Sequence, residues 1–99
     1  MNIPSKIKEI REKKGISQAA LAEASGLSAT YISQVESGKK SPTLKSLQKL
    51  SDAIGVPFPI LSFLALEESD VAPQKRSAYK ILAPAVNELI QEVFAIDVE

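Results

Sequence analysis

The positions of the glycines constrain this chain more than any other feature of its sequence. The chain has four glycines, and each one follows a short segment whose apolar residues recur at helical spacing: Gly15, Gly26, Gly38 and Gly55. Glycine is common just past the end of a helix because it adopts the left-handed conformation there at little cost. The spacing therefore predicts short helices joined by tight turns.

Residues suited to helix starts stand at matching positions. Pro4 fits a first helical turn, and Ser17, Ser28 and Thr43 are good N-caps for the next three segments. A fifth helix is expected to begin near Pro59, because a residue that precedes a proline is pushed out of the helical region. We predict an all-α fold with five helices within residues 1–66.

The fifth segment, residues 60–66, is apolar on nearly every side. A surface helix needs only one apolar stripe, so the surplus must be covered by something. Two interpretations stay open, because the segment can close the bottom of the core or pair two subunits. The residues concerned are Phe58, Leu61, Phe63 and Leu64.

The net charge of zero, from 12 basic and 12 acidic residues, conceals an asymmetry along the chain. Residues 1–66 carry nine Lys and Arg against five acids, whereas residues 67–99 carry three against seven. A basic block followed by an acidic one indicates that the first part meets a polyanion.

The chain contains neither His nor Cys, which excludes several classes of site. Zinc sites built on Cys or His, iron–sulfur clusters, disulfides and Ser-His-Asp or Cys-His catalysis are impossible without these residues. No other catalytic motif is recognisable, so we expect no enzyme activity and no cofactor. The lack of cysteine fits a cytoplasmic protein, and no apolar stretch is long enough to span a membrane.

Residues 18–37 have the features of two helices that cross steeply. Ala22 is small enough for close packing, and Gly26 permits the left-handed turn four residues later. The second helix, residues 29–36, then directs a small polar set outward, which suits hydrogen bonding to base edges in a major groove. This set is Ala29, Thr30, Ser33 and Gln34.

The motifs SQAALAEASGLS, YISQVESGKKSPTL and AIGVP carry a resemblance to a known family. Residues 7–64 resemble the Xre-type helix-turn-helix domain of lambdoid phage repressors, Cro proteins and many bacterial regulators. The resemblance implies a five-helix, lambda-repressor-like domain that binds DNA.

The resemblance also implies roles for individual positions. The outward set named above is implied to contact bases, while Arg11 and Glu36 are implied to form a structural ion pair between the first and third helices. Tyr31 has two interpretations, a phosphate contact through its hydroxyl or a ring packed on the helix pair. The implied phosphate contacts are Gln18, Ser28, Tyr31, Lys39, Lys40, Ser41 and Thr43. Lys13, Lys14, Lys45 and Lys49 are interpreted as solvated surface, and Lys45 has a second interpretation as a peripheral phosphate neighbour.

Residues 67–76 have few apolar groups and predict a linker, followed by an extension at 77–99. The extension is undecided between helix and strand, since residues 86–93 follow helical spacing whereas residues 94–98 alternate. The run QKRSAYKILAPAVNELIQEVFAIDVE is similar to the start of the cupin sensor domain of Xre–cupin regulators. This similarity favours strands at 79–82 and 90–98 and implies a truncated regulator. The alternative is a helix that pairs two subunits.

Together these features predict a sequence-specific regulator of transcription that binds double-stranded DNA. We expect a homodimer on a pseudo-palindromic operator whose half-sites lie about 34 Å apart. The alternative is a protein-interaction module, such as an antitoxin or a coactivator-like adaptor, that uses the helix-turn-helix mainly against a protein.

Overall fold

The computed structural model describes residues 1–96 of the chain and contains six α-helices in that range. Five of them fall within residues 1–66, which confirms the predicted all-α domain. The helices are α1 Ile3–Lys13, α2 Gln18–Ser25, α3 Ala29–Glu36, α4 Leu44–Ile54, α5 Phe58–Leu64 and α6 Arg76–Phe94.

Capping defines the boundaries of the central helices. The side chains of Ser17, Ser28 and Thr43 each accept a hydrogen bond from a backbone N–H in the first turn of α2, α3 and α4. Gly26 and Gly55 end α2 and α4 in the left-handed conformation, with φ of 73° and 77°. Each residue therefore satisfies polar backbone groups that a helix end would otherwise leave unpaired.

The core lies where all six helices meet. Ile7 and Ile10 of α1 are 1% exposed, and Leu21 of α2 and Leu61 of α5 are fully buried. Burial of such side chains is the main driving force for folding. The buried cluster comprises Ile7, Ile10, Leu21, Ile32, Leu50, Ile54, Val56, Leu61, Ile90 and Ile96.

The apolar surplus of the fifth segment is mostly covered by the chain itself. Helix α5 starts at Phe58, one residue before the expected Pro59. Leu61 is fully buried, while Phe58, Phe63 and Leu64 are half-buried against the core cluster. The segment therefore closes the bottom of the core, which is the first of the two interpretations given above.

Residues 67–75 contain two short 3₁₀ turns, Glu68–Asp70 and Pro73–Lys75. The turns are tied to the start of α6, because the Arg76 Nε donates to the carbonyl oxygens of Glu68 and Val71 at 3.0 and 2.9 Å. The predicted linker therefore follows a defined path along the base of α6.

Helix α6 shows that the strand prediction for 79–82 and 90–98 was wrong over residues 79–82 and 90–96. Residues 97–98 lie outside the described part of the chain. Val86, Ile90 and Phe94 contact the core at helical spacing. Helix α6 begins well before the 86–93 pattern and runs through Pro84, whose ring removes one internal hydrogen bond.

The alternation at residues 94–96 has a different cause from a strand. Ala95 adopts the left-handed conformation with φ of 51°, and the N–H of Ile96 donates to the carbonyl oxygen of Gln91 at 3.3 Å. This C-terminal turn reverses the chain and returns Ile96 to the core, where it is 3% exposed. Phe94 and Ile96 are thus both turned towards the core by a helix C-cap, and not by the alternating side chains of a strand.

Polar contacts fix α6 to the five-helix head, residues 1–66. The Tyr79 hydroxyl donates to the carbonyl oxygen of Leu66 at 2.9 Å, and the Lys14 Nζ donates to that of Phe94 at 3.4 Å. The contact of Lys14 corrects its interpretation as simple solvated surface, because its ammonium group lies at the junction with α6.

Candidate nucleic-acid interface

Helix α3 presents the residues that the sequence predicted to contact bases. Ala29, Thr30 and Ser33 are exposed and Gln34 is half-buried, while Ile32 and Val35 on the opposite side are each 1% exposed. The helix thus divides into a core face and a polar outer face. Serine, threonine and glutamine side chains carry the donors and acceptors that base edges recognise.

The beginning of α3 is fixed by Ser28. Its Oγ accepts a hydrogen bond from the N–H of Tyr31 at 3.0 Å. The Ser28 hydroxyl can therefore still donate its own proton to an acceptor outside the protein. The preceding turn is held by the N–H of Gly26, which donates to the carbonyl oxygen of Ala22 at 3.0 Å. The two contacts fix the end of α2 and the beginning of α3 on either side of the turn.

The end of α3 is fixed by an ion pair with α1. The Arg11 Nε lies 2.8 Å from the Glu36 Oε2, and a second guanidinium nitrogen donates to Oε1 at 2.9 Å. The third guanidinium nitrogen donates to the carbonyl oxygen of Ile16 at 2.8 Å. The two side chains are 9% and 3% exposed, so the bidentate pair is buried.

The ion pair shifts the pKa values of both groups. The hydrogen bond to Glu36 raises the pKa of the Arg11 guanidinium. Burial raises the pKa of the Glu36 carboxyl, but hydrogen bonds from Arg11 and Gln18 outweigh this effect and leave its pKa below the ordinary value. Both groups are therefore charged at neutral pH.

Gln18, a predicted phosphate contact, is connected to the same ion pair. Its Nε2 donates to the Glu36 Oε1 at 3.0 Å, and the residue is half-buried. An amide has two donor protons and one acceptor oxygen, so groups remain for a ligand outside. The amide is positioned by Glu36, which the sequence alone did not indicate.

The loop between α3 and α4 holds the predicted cations. Gly38 has φ of 81°, and the N–H of Lys40 donates to the carbonyl oxygen of Gln34 at 3.1 Å. The Lys40 Nζ lies 5.7 Å from the centre of the half-buried Tyr31 ring, within cation–π range. Lys39, Lys40 and Ser41 are all exposed beside α3.

The Thr43 hydroxyl makes two hydrogen bonds at the start of α4, whereas the Ser28 hydroxyl makes one at the start of α3. The Thr43 Oγ1 accepts from the N–H of Ser46 and donates to the Ser46 Oγ, both at 3.0 Å. A phosphate contact from Thr43 therefore requires its hydroxyl proton to turn away from Ser46.

A cleft of about 300 Å³ lies between the loop and the beginning of α1. Asn2 and Ser5 line one side, and Lys40 and Ser41 line the other. Sequence reasoning did not place the beginning of α1 at this surface, because the two segments lie far apart in the chain.

Within residues 1–96, no helix is both long and apolar enough to cross a membrane. In the same range no cluster of three or more acidic side chains is arranged to hold a metal ion.

A short helix with a polar outer face, set by a glycine turn behind it and an ion pair at its end, defines a helix-turn-helix protein. The helix-turn-helix family model matches residues 7–61, more than half of the chain. The chain therefore belongs to the helix-turn-helix family, of the Xre type that its sequence motifs resemble.

Three relatives illustrate the similarity. The HTH-type transcriptional regulator SutR of Escherichia coli (strain K12) is 38% identical over 52 residues, 52% of this chain and 29% of SutR. Control protein C.BamHI of Bacillus amyloliquefaciens is 38% identical over 63 residues, 62% of this chain and 78% of its own length. The ImmF control region 10 kDa protein of Bacillus phage phi105 is 29% identical over 72 residues, 73% and 80% of the two chains. The chain thus spans less than a third of SutR and about four fifths of the two shorter relatives.

Proposed function

We propose that this protein regulates transcription in the cytoplasm by binding specific sequences in double-stranded DNA through α3. The observation that carries the proposal is the outer face of α3, which is polar and exposed while both ends of the helix are fixed. A rigid helix of this kind enters the major groove, where each base pair shows a distinct pattern of donors and acceptors.

The proposed base contacts divide by chemistry. Gln34 can donate to and accept from one adenine, and Thr30 and Ser33 can hydrogen-bond to several bases. Ala29 offers only a methyl group, which suits contact with the thymine methyl. We therefore assign most of the sequence specificity to Thr30 and Gln34.

The proposed phosphate contacts surround this face. Lys39 and Lys40 supply charge, and the exposed hydroxyl groups of Ser28 and Ser41 are placed beside them. Phosphate contacts determine orientation on the duplex and contribute affinity for any sequence. Gln18, Tyr31 and Thr43 complete the proposed set.

The head, residues 1–66, has a single recognition helix, and one such helix offers few contacts to DNA. Two heads on adjacent half-sites about 34 Å apart bind more tightly, because the first binding event raises the effective concentration of the second. We therefore propose a homodimer on a pseudo-palindromic operator.

The first experiment is selection of bound sequences from a random duplex library, followed by titration of the selected site. Gln34→Ala should weaken binding to that site by about 1–3 kcal/mol and leave binding to unrelated duplexes nearly unchanged. An equal loss on both duplexes would contradict the base contact. Absence of salt-dependent binding to any duplex would favour the protein-interaction alternative.

The second experiment tests the loop cations. Lys39→Ala combined with Lys40→Ala should lower affinity for every duplex and reduce the salt slope by about two units per head. Lys49→Ala combined with Lys75→Ala removes the same charge elsewhere and should change the slope much less. Equal slopes in the two double variants would show that the loop is not at the phosphates.

A further inference from the structure

Helix α6 has a second apolar face that is exposed to solvent. The exposed fractions are 79% for Ile81, 54% for Leu82, 61% for Leu89 and 72% for Val93. On a helix these positions fall on one side, together with Ala78 and Ala85, which are also exposed. We call this surface the outer stripe: Ala78, Ile81, Leu82, Ala85, Leu89 and Val93.

The head does not account for the outer stripe. A different side of α6, about a third of a turn round the helix, already packs inward through Ala83 and Ile90, which are 9% and 7% exposed. A helix that serves only to cover the head needs one apolar side and would carry polar residues on the other. The outer stripe therefore requires a separate explanation.

We propose that the outer stripe is the surface through which two copies of this chain pair, with their α6 helices antiparallel and the two-fold axis near Ala85. The proposal rests on the homodimer of the proposed function and names its surface. It places the pairing on α6 and not on α5, whose aromatic side chains are half-buried in their own core.

The distribution of charge along α6 favours the antiparallel arrangement. Glu92 lies within the outer stripe and Glu88 lies beside its edge, both after its centre, whereas Lys80 lies on the opposite side of the helix. Antiparallel pairing places these glutamates of the two copies at opposite ends of the interface, near the positive N-terminal end of the other α6, whereas parallel pairing places like charges side by side. Lys80 instead lies 3.3 Å from Glu68 of its own chain.

The residue at the proposed axis is small. Helix axes approach to about 8–10 Å depending on the side chains at the crossing, and Ala85 permits the near end of this range. Leu82 of one copy then faces Leu89 of the other on both sides of the axis. The same contact occurs twice, as a two-fold interface requires.

The size of the stripe indicates a reversible dimer. Helix α6 has 19 residues, so it is about 28 Å long and the stripe covers on the order of 300 Å² in projection. This area lies at the lower end of the range for the largest apolar patch of typical monomers and below the roughly 800 Å² per partner of standard stable interfaces. We expect free protein to associate at micromolar or higher concentration and DNA to favour the pair.

Sedimentation equilibrium without DNA tests the surface over a concentration series reaching a few hundred micromolar. The parent chain should associate, and Leu82→Glu combined with Leu89→Glu should raise the dissociation constant at least tenfold. Leu44→Glu is the matched control, because Leu44 is 60% exposed on α4, and it should leave the constant unchanged. Circular dichroism should show the same helix content in all three proteins.

Cysteine scanning tests the orientation, and it is clean because the natural chain has no cysteine. Ala85→Cys should form a disulfide-linked dimer on mild oxidation, whereas Ala78→Cys should not, since antiparallel pairing separates the two copies of residue 78 by about 21 Å. Equal cross-linking at both positions would overturn the antiparallel arrangement. A parent chain that stays monomeric would overturn the proposal and leave recognition by a single head intact.

Discussion

Replacement of Arg11 by methionine should destabilise the fold severely, because it leaves a buried carboxylate without its cation. The Glu36 side chain is 3% exposed and would keep only the hydrogen bond from Gln18. Removal of one partner of a buried ion pair costs about 3–5 kcal/mol. A domain of this size has about 5–15 kcal/mol in total, so the melting temperature should fall by at least about 12 °C.

The loss should depend on pH in a direction that the pKa shift determines. In the parent chain the pKa of Glu36 lies below its ordinary value, so the pair stabilises the fold above about pH 4.3 and is lost as the pH falls through the folded-state pKa. In Arg11→Met burial remains without the compensating cation, which raises that pKa. The carboxyl then becomes neutral on mild acidification, and the difference between variant and parent should narrow below about pH 5.

Urea denaturation at several pH values, followed by circular dichroism, measures both effects. Lys6→Met is the matched control, because Lys6 pairs with Glu9 at 2.7 Å in an exposed position, with side chains 28% and 46% exposed. It should cost less than about 1 kcal/mol. A loss for Arg11→Met as small as that of the control, or one that stays constant from pH 7 to pH 4, would refute the argument.

Two further predictions concern left-handed residues, and urea denaturation checks both. Gly26→Ala should cost about 1–2 kcal/mol through backbone strain alone, since φ is 73° and an added Cβ meets no atom within 4 Å; an unchanged stability would exclude strain at this turn. Ala95→Gly should stabilise the chain by about 1 kcal/mol because Ala95 has φ of 51°. Ala24→Gly, at an exposed position within α2, is its control and should cost about the same amount. Stability changes of the same sign in the two variants would contradict the C-cap.

The sequence was sufficient to predict the five-helix head because several local signals agreed there. Ser17, Ser28 and Thr43 each cap a helix, and Gly26 turns the chain where the packing of Ala22 requires it. Each signal acts within a few residues, so it can be read without knowledge of the tertiary structure.

The extension was harder to predict because its pattern depends on a C-cap. The alternation around Ile96 is typical of a strand, whereas its burial follows from the left-handed turn at Ala95, which alanine adopts infrequently. The helical spacing of residues 86–93 also gave no sign that the helix begins before Pro84. The helix continues through it because apolar contacts on both sides of Pro84, from Ala83 and Val86, hold it against the head.

The interface residues differ in how far they could be predicted. The exposure of Thr30 and Ser33 follows from helical spacing and could be predicted. The hydrogen bond from Gln18 to Glu36 could not, because it depends on how α2 packs against the end of α3. The same holds for Lys14, whose contact with α6 joins residues 80 positions apart in the chain.

The separation between the two faces of α3 has a consequence for how such proteins diversify. Ile32, Val35 and Glu36 hold the helix in place, whereas Thr30 and Ser33 project outward and take no part in the core. If α3 contacts bases as proposed, substitutions at the outer positions change the preferred operator without an intervening loss of stability. A gene duplicate of this chain could acquire a new target in single mutational steps, each of them a folded protein.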